Sequence, residues 1–275
     1  MTQMLVTGSS GFIGRQLTNL LMSKNVSVDG IGEEYFSSAD WKVALVNELN
    51  HRDPKTVFHV GACSDTLEQD VQYMMIRNYE STKVITDWCI QKGRSVIYSS
   101  SAANYGVDGK NPSNLYGWSK YVAEDYVLKS GGVALRYFNV YGPGEEHKGK
   151  MASFLYQAYL KNKAGDKIQL FPGKPLRDFI YIKDVIAANI FAQTNFKSLQ
   201  GNYYEVGTGA AKSFEHQLDI FGLEHEYSDE NKIPTGYQFY TCGNPKKWMA
   251  GWSPAYSLEA GVLEYKSYLM NEVEN

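Results

Sequence analysis

Apolar residues in the first half of the chain fall in short runs rich in β-branched and aromatic side chains. These alternate with longer stretches where apolar residues recur every three or four positions. The first pattern marks strands and the second helices, and their alternation predicts βαβ units around a parallel sheet. Residues 4–6 read as the first strand and 12–24 as the helix after it. Residues 26–31 form a second strand, and 41–49 a helix that Asp40 is placed to cap. Two further strands, 56–60 and 95–98, flank a long helix over about 67–91, followed by a helix at 114–129 and a strand at 133–137. After Tyr141-Gly142-Pro143-Gly144 the rhythm breaks, and helices and short strands mix around 151–162, 168–171, 184–194 and 257–269. The pattern predicts an α/β chain with a doubly wound parallel sheet in residues 1–142, to which 179–207 return. Residues 143–178 and 208–275 form a smaller, partly interleaved C-terminal substrate lobe.

Composition narrows the function classes. The 275 residues, 43% hydrophobic, supply a sizeable core. With 27 basic and 30 acidic residues the net charge is −3, so no global field attracts nucleic acid or an anionic membrane surface. No apolar run approaches the roughly 20 residues that cross a bilayer, and Thr7-Gly8-Ser9-Ser10-Gly11 interrupts any leader segment. Cys63, Cys89 and Cys242 are widely spaced and match neither a disulfide framework nor a metal site, which predicts a reducing cytoplasm and no metal.

Candidate chemistry begins with Gly8-Ser9-Ser10-Gly11-Phe12-Ile13-Gly14, between the first strand and the first helix. Small residues there let the backbone turn tightly and let a pyrophosphate approach the amides at a helix N-terminus. Gly8, Ser10, Gly11, Phe12, Ile13 and Gly14 are therefore candidate dinucleotide-binding residues; an ordinary glycine turn is the bland alternative. The ribose-binding acid belongs about 20 residues later, where Glu33 stands, with Glu34 its neighbour. No Arg or Lys lies between Glu33 and Asp40 to neutralise a 2′-phosphate, which favours NAD and leaves NADP open.

Tyr116 and Lys120 are four residues apart, on one helical face. A phenol near pKa 10 is a poor base at neutral pH, and a nearby ammonium favours its phenolate. Such a tyrosine can take the proton of a carbinol while a nicotinamide accepts the hydride. Ser101, at the end of the preceding strand, is placed to reach the same hydroxyl.

Thr7 to Gly14, Ser101, and Tyr116 with Lys120 resemble the extended short-chain dehydrogenase/reductase family of nucleotide-sugar enzymes, with a Rossmann-like fold. Further motifs resemble its heptose-epimerase branch: Gly61-Ala62-Cys63-Ser64, Tyr73-Met74-Met75, Arg136 to Pro143, His147-Lys148-Gly149, and Arg177-Asp178-Phe179. The resemblance covers nearly the whole chain. It implies oxidation of one sugar carbon, presentation of the other face of the ketone, and return of the hydride, so that the stereocentre inverts without net redox change. Inversion needs proton handling on both faces. Tyr116 serves one, and Lys148 matches the position that serves the other, with His147 or Arg177 as cations beside it. Lys120 orients the nicotinamide ribose and lowers the Tyr116 pKa; Ser101 binds the reacting hydroxyl. Asn139, His147, Arg177 and Tyr237 match substrate positions, and Asp40 the adenine-binding acid of the cofactor site. The resemblance also implies a homo-oligomer, dimer or larger.

Two departures bear on specificity. The family has an Arg before its tyrosine where this chain has Gly236 before Tyr237, and the connection from Gly106 to Tyr116 is short. Ala102 and Ala103 stand where a dehydratase carries its acids, which argues against elimination. The leading expectation is epimerisation of a nucleotide-linked heptose. Alternatives are a 4-epimerase or epimerase-reductase on a GDP-, UDP- or dTDP-linked sugar, the latter through Cys63 and His147, or a non-catalytic dinucleotide sensor.

Overall fold

The structure is a computed structural model and describes residues 3–233 and 237–271. Its largest sheet has six strands. The first five in chain order are β1 (Met4–Thr7), β2 (Val28–Ile31), β3 (Thr56–His59), β4 (Ser95–Ser101) and β5 (Val133–Tyr137). Across the sheet the order is Tyr203–Val206, β5, β4, β3, β1, β2. The pairs of β1 with β2 and β3, and of β3 with β4, are parallel. This is the doubly wound arrangement that the alternating pattern predicts, and β3 is buried along its whole length, as expected of a strand covered on both faces. Leu5, Val57, Val96 and Ala134 pack with Leu45, Leu49, Ile85, Trp88 and Val127 from the flanking helices. The parallel register sets Thr7 level with both Ile31 and His59, and His59 level with Tyr98. The carboxyl ends of the central strands thus share one edge, where ligands bind in open α/β sheets.

The long helix expected over residues 67–91 is interrupted. An α-helical turn at Val71–Met75 passes into a π-helical segment at Ile76–Glu80 before a regular helix resumes at Ser81–Lys92. Asp70 delays the start by accepting the Tyr73 amide at 2.9 Å. Within the π segment, Asn78 is committed to a different chain segment. Its Oδ1 accepts the Cys63 amide at 2.7 Å, and its Nδ2 donates to the Cys63 carbonyl at 3.0 Å and to Ser119 Oγ at 2.9 Å. Apolar periodicity carries no trace of these bonds, which is why the pattern reads through the interruption. Asp40 does occupy the N-cap position of Trp41–Arg52, but its side chain makes no capping bond.

The chain divides into two compact units that interleave in sequence. One comprises the chain up to Gly106 with Lys110–Arg136 and Ile186–Tyr204; the other comprises Val107–Gly109, Tyr137–Val185 and the chain from Glu205 onward. In the second unit Asn139–Tyr141 pairs with Phe179–Tyr181, and Leu176–Arg177 with Lys212–Ser213. Asp178, fully buried between the strands it separates, accepts the amides of Thr208 at 2.7 Å, Gly209 at 2.8 Å and Gly243 at 2.9 Å. Among the described residues no helix is long and apolar enough to cross a membrane, and no cluster of His, Cys, Asp and Glu could hold a metal ion.

Candidate active site

The glycine turn after β1 is built around close backbone approach. Gly8 has φ +64°, and a Cβ there would lie 2.6 Å from Gly61 Cα. A Cβ on Gly14 would lie 2.1 Å from the Gly8 carbonyl oxygen, so the first turn of the helix Phe12–Ser23 sits directly against the loop. Gly11 occupies the N-cap with no side chain to spend on the helix amides, and the first turn holds no acid. The N-terminal amides and the positive end of the helix dipole suit an anion such as a pyrophosphate. Phe12 is buried and Ser10 exposed, so Phe12 can offer a ligand its backbone only. These residues fit a dinucleotide.

Glu33 follows β2 and is exposed, as expected of a ribose ligand. Its carboxylate pairs with Arg77, whose guanidinium also lies 3.9 Å above the Phe36 ring. Counting cations only between Glu33 and Asp40 therefore misses an arginine delivered by the π segment. Asp40 is exposed beside this region.

Ser101 ends β4 and caps the short turn Ala102–Tyr105, accepting the Ala103 amide at 3.1 Å. Its hydroxyl also hydrogen-bonds the Tyr116 phenol. Asn114 starts the helix Leu115–Lys129 by accepting the Gly117 amide at 2.8 Å, which fixes where Tyr116 and Lys120 point. Burial holds the Tyr116 phenol above its ordinary range, and the Ser101 bond opposes that rise. The group that eases Tyr116 ionisation here is thus Ser101. Lys120 is buried, and burial lowers its ammonium to about 7 while Glu124 one turn on pulls it back up. The Lys120 Nζ lies 4.4 Å from the centre of the Tyr98 ring.

Two buried networks hold this group of residues. Glu124 accepts from Ser100 Oγ at 2.6 Å, Asn104 Nδ2 at 3.1 Å and Arg136 Nε at 2.8 Å, with a second bond from Arg136 Nη2. On the other side, Thr82 Oγ1 donates to the Asn78 carbonyl and therefore accepts from His59 Nε2–H at 2.8 Å. His59 Nδ1 then accepts the Thr7 hydroxyl at 2.7 Å. Burial, helped by the Lys120 charge, drives His59 down to about 3, so it is a fixed neutral imidazole.

In the second unit, Lys148 and Asn139 line one cavity of about 210 Å³ with Tyr141, Ser153, Phe214 and Gln217. Asn139 donates to the Asp178 carbonyl at 2.9 Å. Lys148 is half-buried in a short helical turn, and burial lowers its ammonium. The acid Glu145 works in the opposite direction and favours the charged form. Glu145 is fully buried and anchors the loop through Ser153 Oγ at 2.7 Å and the Ser153 and Gly142 amides. His147 is exposed and does not line this cavity.

Arg177 is buried and bonds the Leu176 carbonyl at 3.0 Å and the Gln238 carbonyl. The acids near it in sequence, Asp178 and Asp184, are both occupied by backbone amides. Its guanidinium lies 5.4 Å from the Tyr237 ring and 5.7 Å from the Phe214 ring. Those two rings, with Phe154, Phe171 and Leu170, line a second cavity of about 210 Å³. Gly236, the position that departs from the resembling family, lies outside the described residues.

Residues 4–207 match the NAD dependent epimerase/dehydratase family. The chain belongs to that family. It is 35% identical to ADP-L-glycero-D-manno-heptose-6-epimerase of Brachyspira hyodysenteriae, over 96% of this chain and 97% of the relative. Among solved structures it resembles ADP-L-glycero-D-manno-heptose-6-epimerase of Helicobacter pylori, with TM-score 0.84 and 28% identity over 98% of this chain and 96% of the other. The fold is also that of UDP-glucose 4-epimerase from Thermus thermophilus in complex with NAD, with TM-score 0.82 and 22% identity over 98% and 99% of the two chains. The protein is an NAD-binding enzyme, an epimerase of this family.

Sequence reasoning passed over several residues of this epimerase. Asn78 and Arg77 carry no local signature, because each bonds a segment distant in the chain, and nothing in their neighbourhood marks Glu145 or Gln217 as buried. Glu124 was within reach, since Tyr116, Lys120 and Glu124 repeat every four residues along one helical face.

Proposed function

We propose that the enzyme is an ADP-heptose 6-epimerase, inverting the C6″ stereocentre of a nucleotide-linked heptose by transient oxidation. The observation that carries the reading is Lys148, half-buried beside Asn139 in a cavity, with its ammonium weakened by burial. A plain dehydrogenase needs one proton-handling group, whereas inversion needs a second, and a lysine serves as one only when its ammonium is destabilised. The full-length similarity to heptose epimerases supports the substrate.

When bound, the nicotinamide takes up a hydride and gives it back. Gly8, Gly11 and Gly14 would cradle the dinucleotide pyrophosphate against the helix amides, Glu33 would bind its ribose, and Lys120 would hold the nicotinamide ribose. Ser101 orients the reacting hydroxyl toward Tyr116, which removes its proton on one face. Lys148 handles the proton on the opposite face. Arg177 and the Tyr237–Phe214 cavity beside it suit a diphosphate and a stacked base. A cytoplasmic location and a homo-oligomer accompany this reading, on the grounds of cysteine spacing and family resemblance.

The test is a proton NMR time course on ADP-D-glycero-D-manno-heptose with purified enzyme and NAD. Appearance of the 6″-epimer without accumulation of reduced cofactor is the expected result. An unchanged spectrum with NAD bound would overturn the assignment of substrate.

A further inference from the structure

Gln217 lies in the helix Phe214–Phe221, is only 1% exposed, and lines the cavity that holds Lys148 and Asn139. Among the described residues neither end of its carboxamide has a hydrogen-bond partner; both Nε2 and Oε1 are buried and unsatisfied. The neighbouring polar groups of the lining are engaged elsewhere. Ser153 Oγ donates to Glu145 and accepts from the Tyr156 amide, and Asn139 Nδ2 donates to the Asp178 carbonyl. A carboxamide with two donors and an acceptor left bare in a protein interior costs stability, and native folds rarely tolerate it without a use.

The chemistry of the missing partner can be read from the group itself. A phosphate carries acceptors only and would leave Oε1 unpaired. An apolar ligand would leave both ends unpaired. A pair of adjacent hydroxyls satisfies both at once, one accepting from Nε2–H and the other donating to Oε1. We propose that Gln217 binds the sugar of the substrate, its carboxamide bridging two neighbouring hydroxyls in the Lys148 cavity and so helping to choose which sugar is held there. The inference rests on the nucleotide-heptose reading and adds a specificity-determining residue to it.

Gln217→Leu keeps the volume and removes the polar ends. Two measurements test it: thermal unfolding of the enzyme without substrate, and calorimetric binding of ADP and of ADP-heptose to the NAD-loaded enzyme. The expected result is an unfolding midpoint equal to or above that of wild type, because unsatisfied polar atoms have been removed. ADP affinity should be unchanged, while ADP-heptose affinity falls about tenfold or more, the scale of two lost hydrogen bonds. A midpoint lowered by several degrees with the ADP-heptose to ADP ratio intact would make Gln217 a structural residue and overturn the proposal. Wild type preferring ADP-heptose with Gln217→Leu matching it would overturn the proposal alone. A wild type that gains nothing from the heptose would overturn the substrate reading, and this inference with it.

Discussion

Burial destabilises the charged forms of both the Tyr116 phenol and the Lys148 ammonium: it moves the lysine toward neutrality, while in the phenol the Ser101 hydrogen bond opposes the rise. Tyr116→Phe should lower kcat by about 10²- to 10⁴-fold, the usual range for a lost general acid–base, with NAD affinity preserved. Lys148→Met should slow inversion comparably; a single-turnover assay that still inverts at the wild-type rate would remove Lys148 from the mechanism. His59 allows a different prediction. Its pKa falls from 6.5 in the unfolded chain to about 3 in the folded protein, so below 6.5 the unfolded state binds the extra proton. The stability it contributes is full above pH 6.5 and drains as pH falls toward 3. Urea titrations across that window should show a shallower decline for His59→Gln, and equal slopes would refute the assignment. At this scale Ser101, Tyr116 and Lys120 were legible because their chemistry is local in sequence. His59 is not: its neutrality follows first from burial and then from the charge of Lys120, which another segment brings close.

At the scale of elements, the fit of the glycine turn against the helix that follows is tight enough to test with one methyl group. Gly14→Ala would place a Cβ 2.1 Å from the Gly8 oxygen, so the helix must draw back and its amides with it. NAD affinity, followed by fluorescence of the reduced cofactor, should fall more than about tenfold, with a lower unfolding midpoint. Affinity equal to wild type would show that the turn is not the pyrophosphate site. The parallel strands and most helices were readable from periodicity, since burying an apolar face is what that periodicity records. The π segment was not, because Asn78 forms it through bonds to Cys63 and Ser119 that leave the apolar pattern unchanged. The same limit applies to the Lys148 loop, whose anchor Glu145 is an acid that the sequence alone would place on the surface.

At the scale of the whole molecule, the chain crosses repeatedly between its two units, and the strand beside β5 is supplied by Tyr203–Val206. A fragment ending at Arg136 would therefore keep Ser101, Tyr116 and Lys120 yet lack the neighbour of its last strand. Val133, Ala134 and Leu135, fully buried in the intact enzyme, would stand at an open margin with unpaired backbone groups. Such a margin recruits another copy of itself, so the fragment should sediment as aggregates, and adding a peptide spanning residues 198–208 should restore a discrete species. Ribosomal synthesis meets the same problem in time. Until Val206 has emerged the nascent sheet has a sticky border, and chaperone dependence should be greatest in the interval between translation of β5 and of that strand.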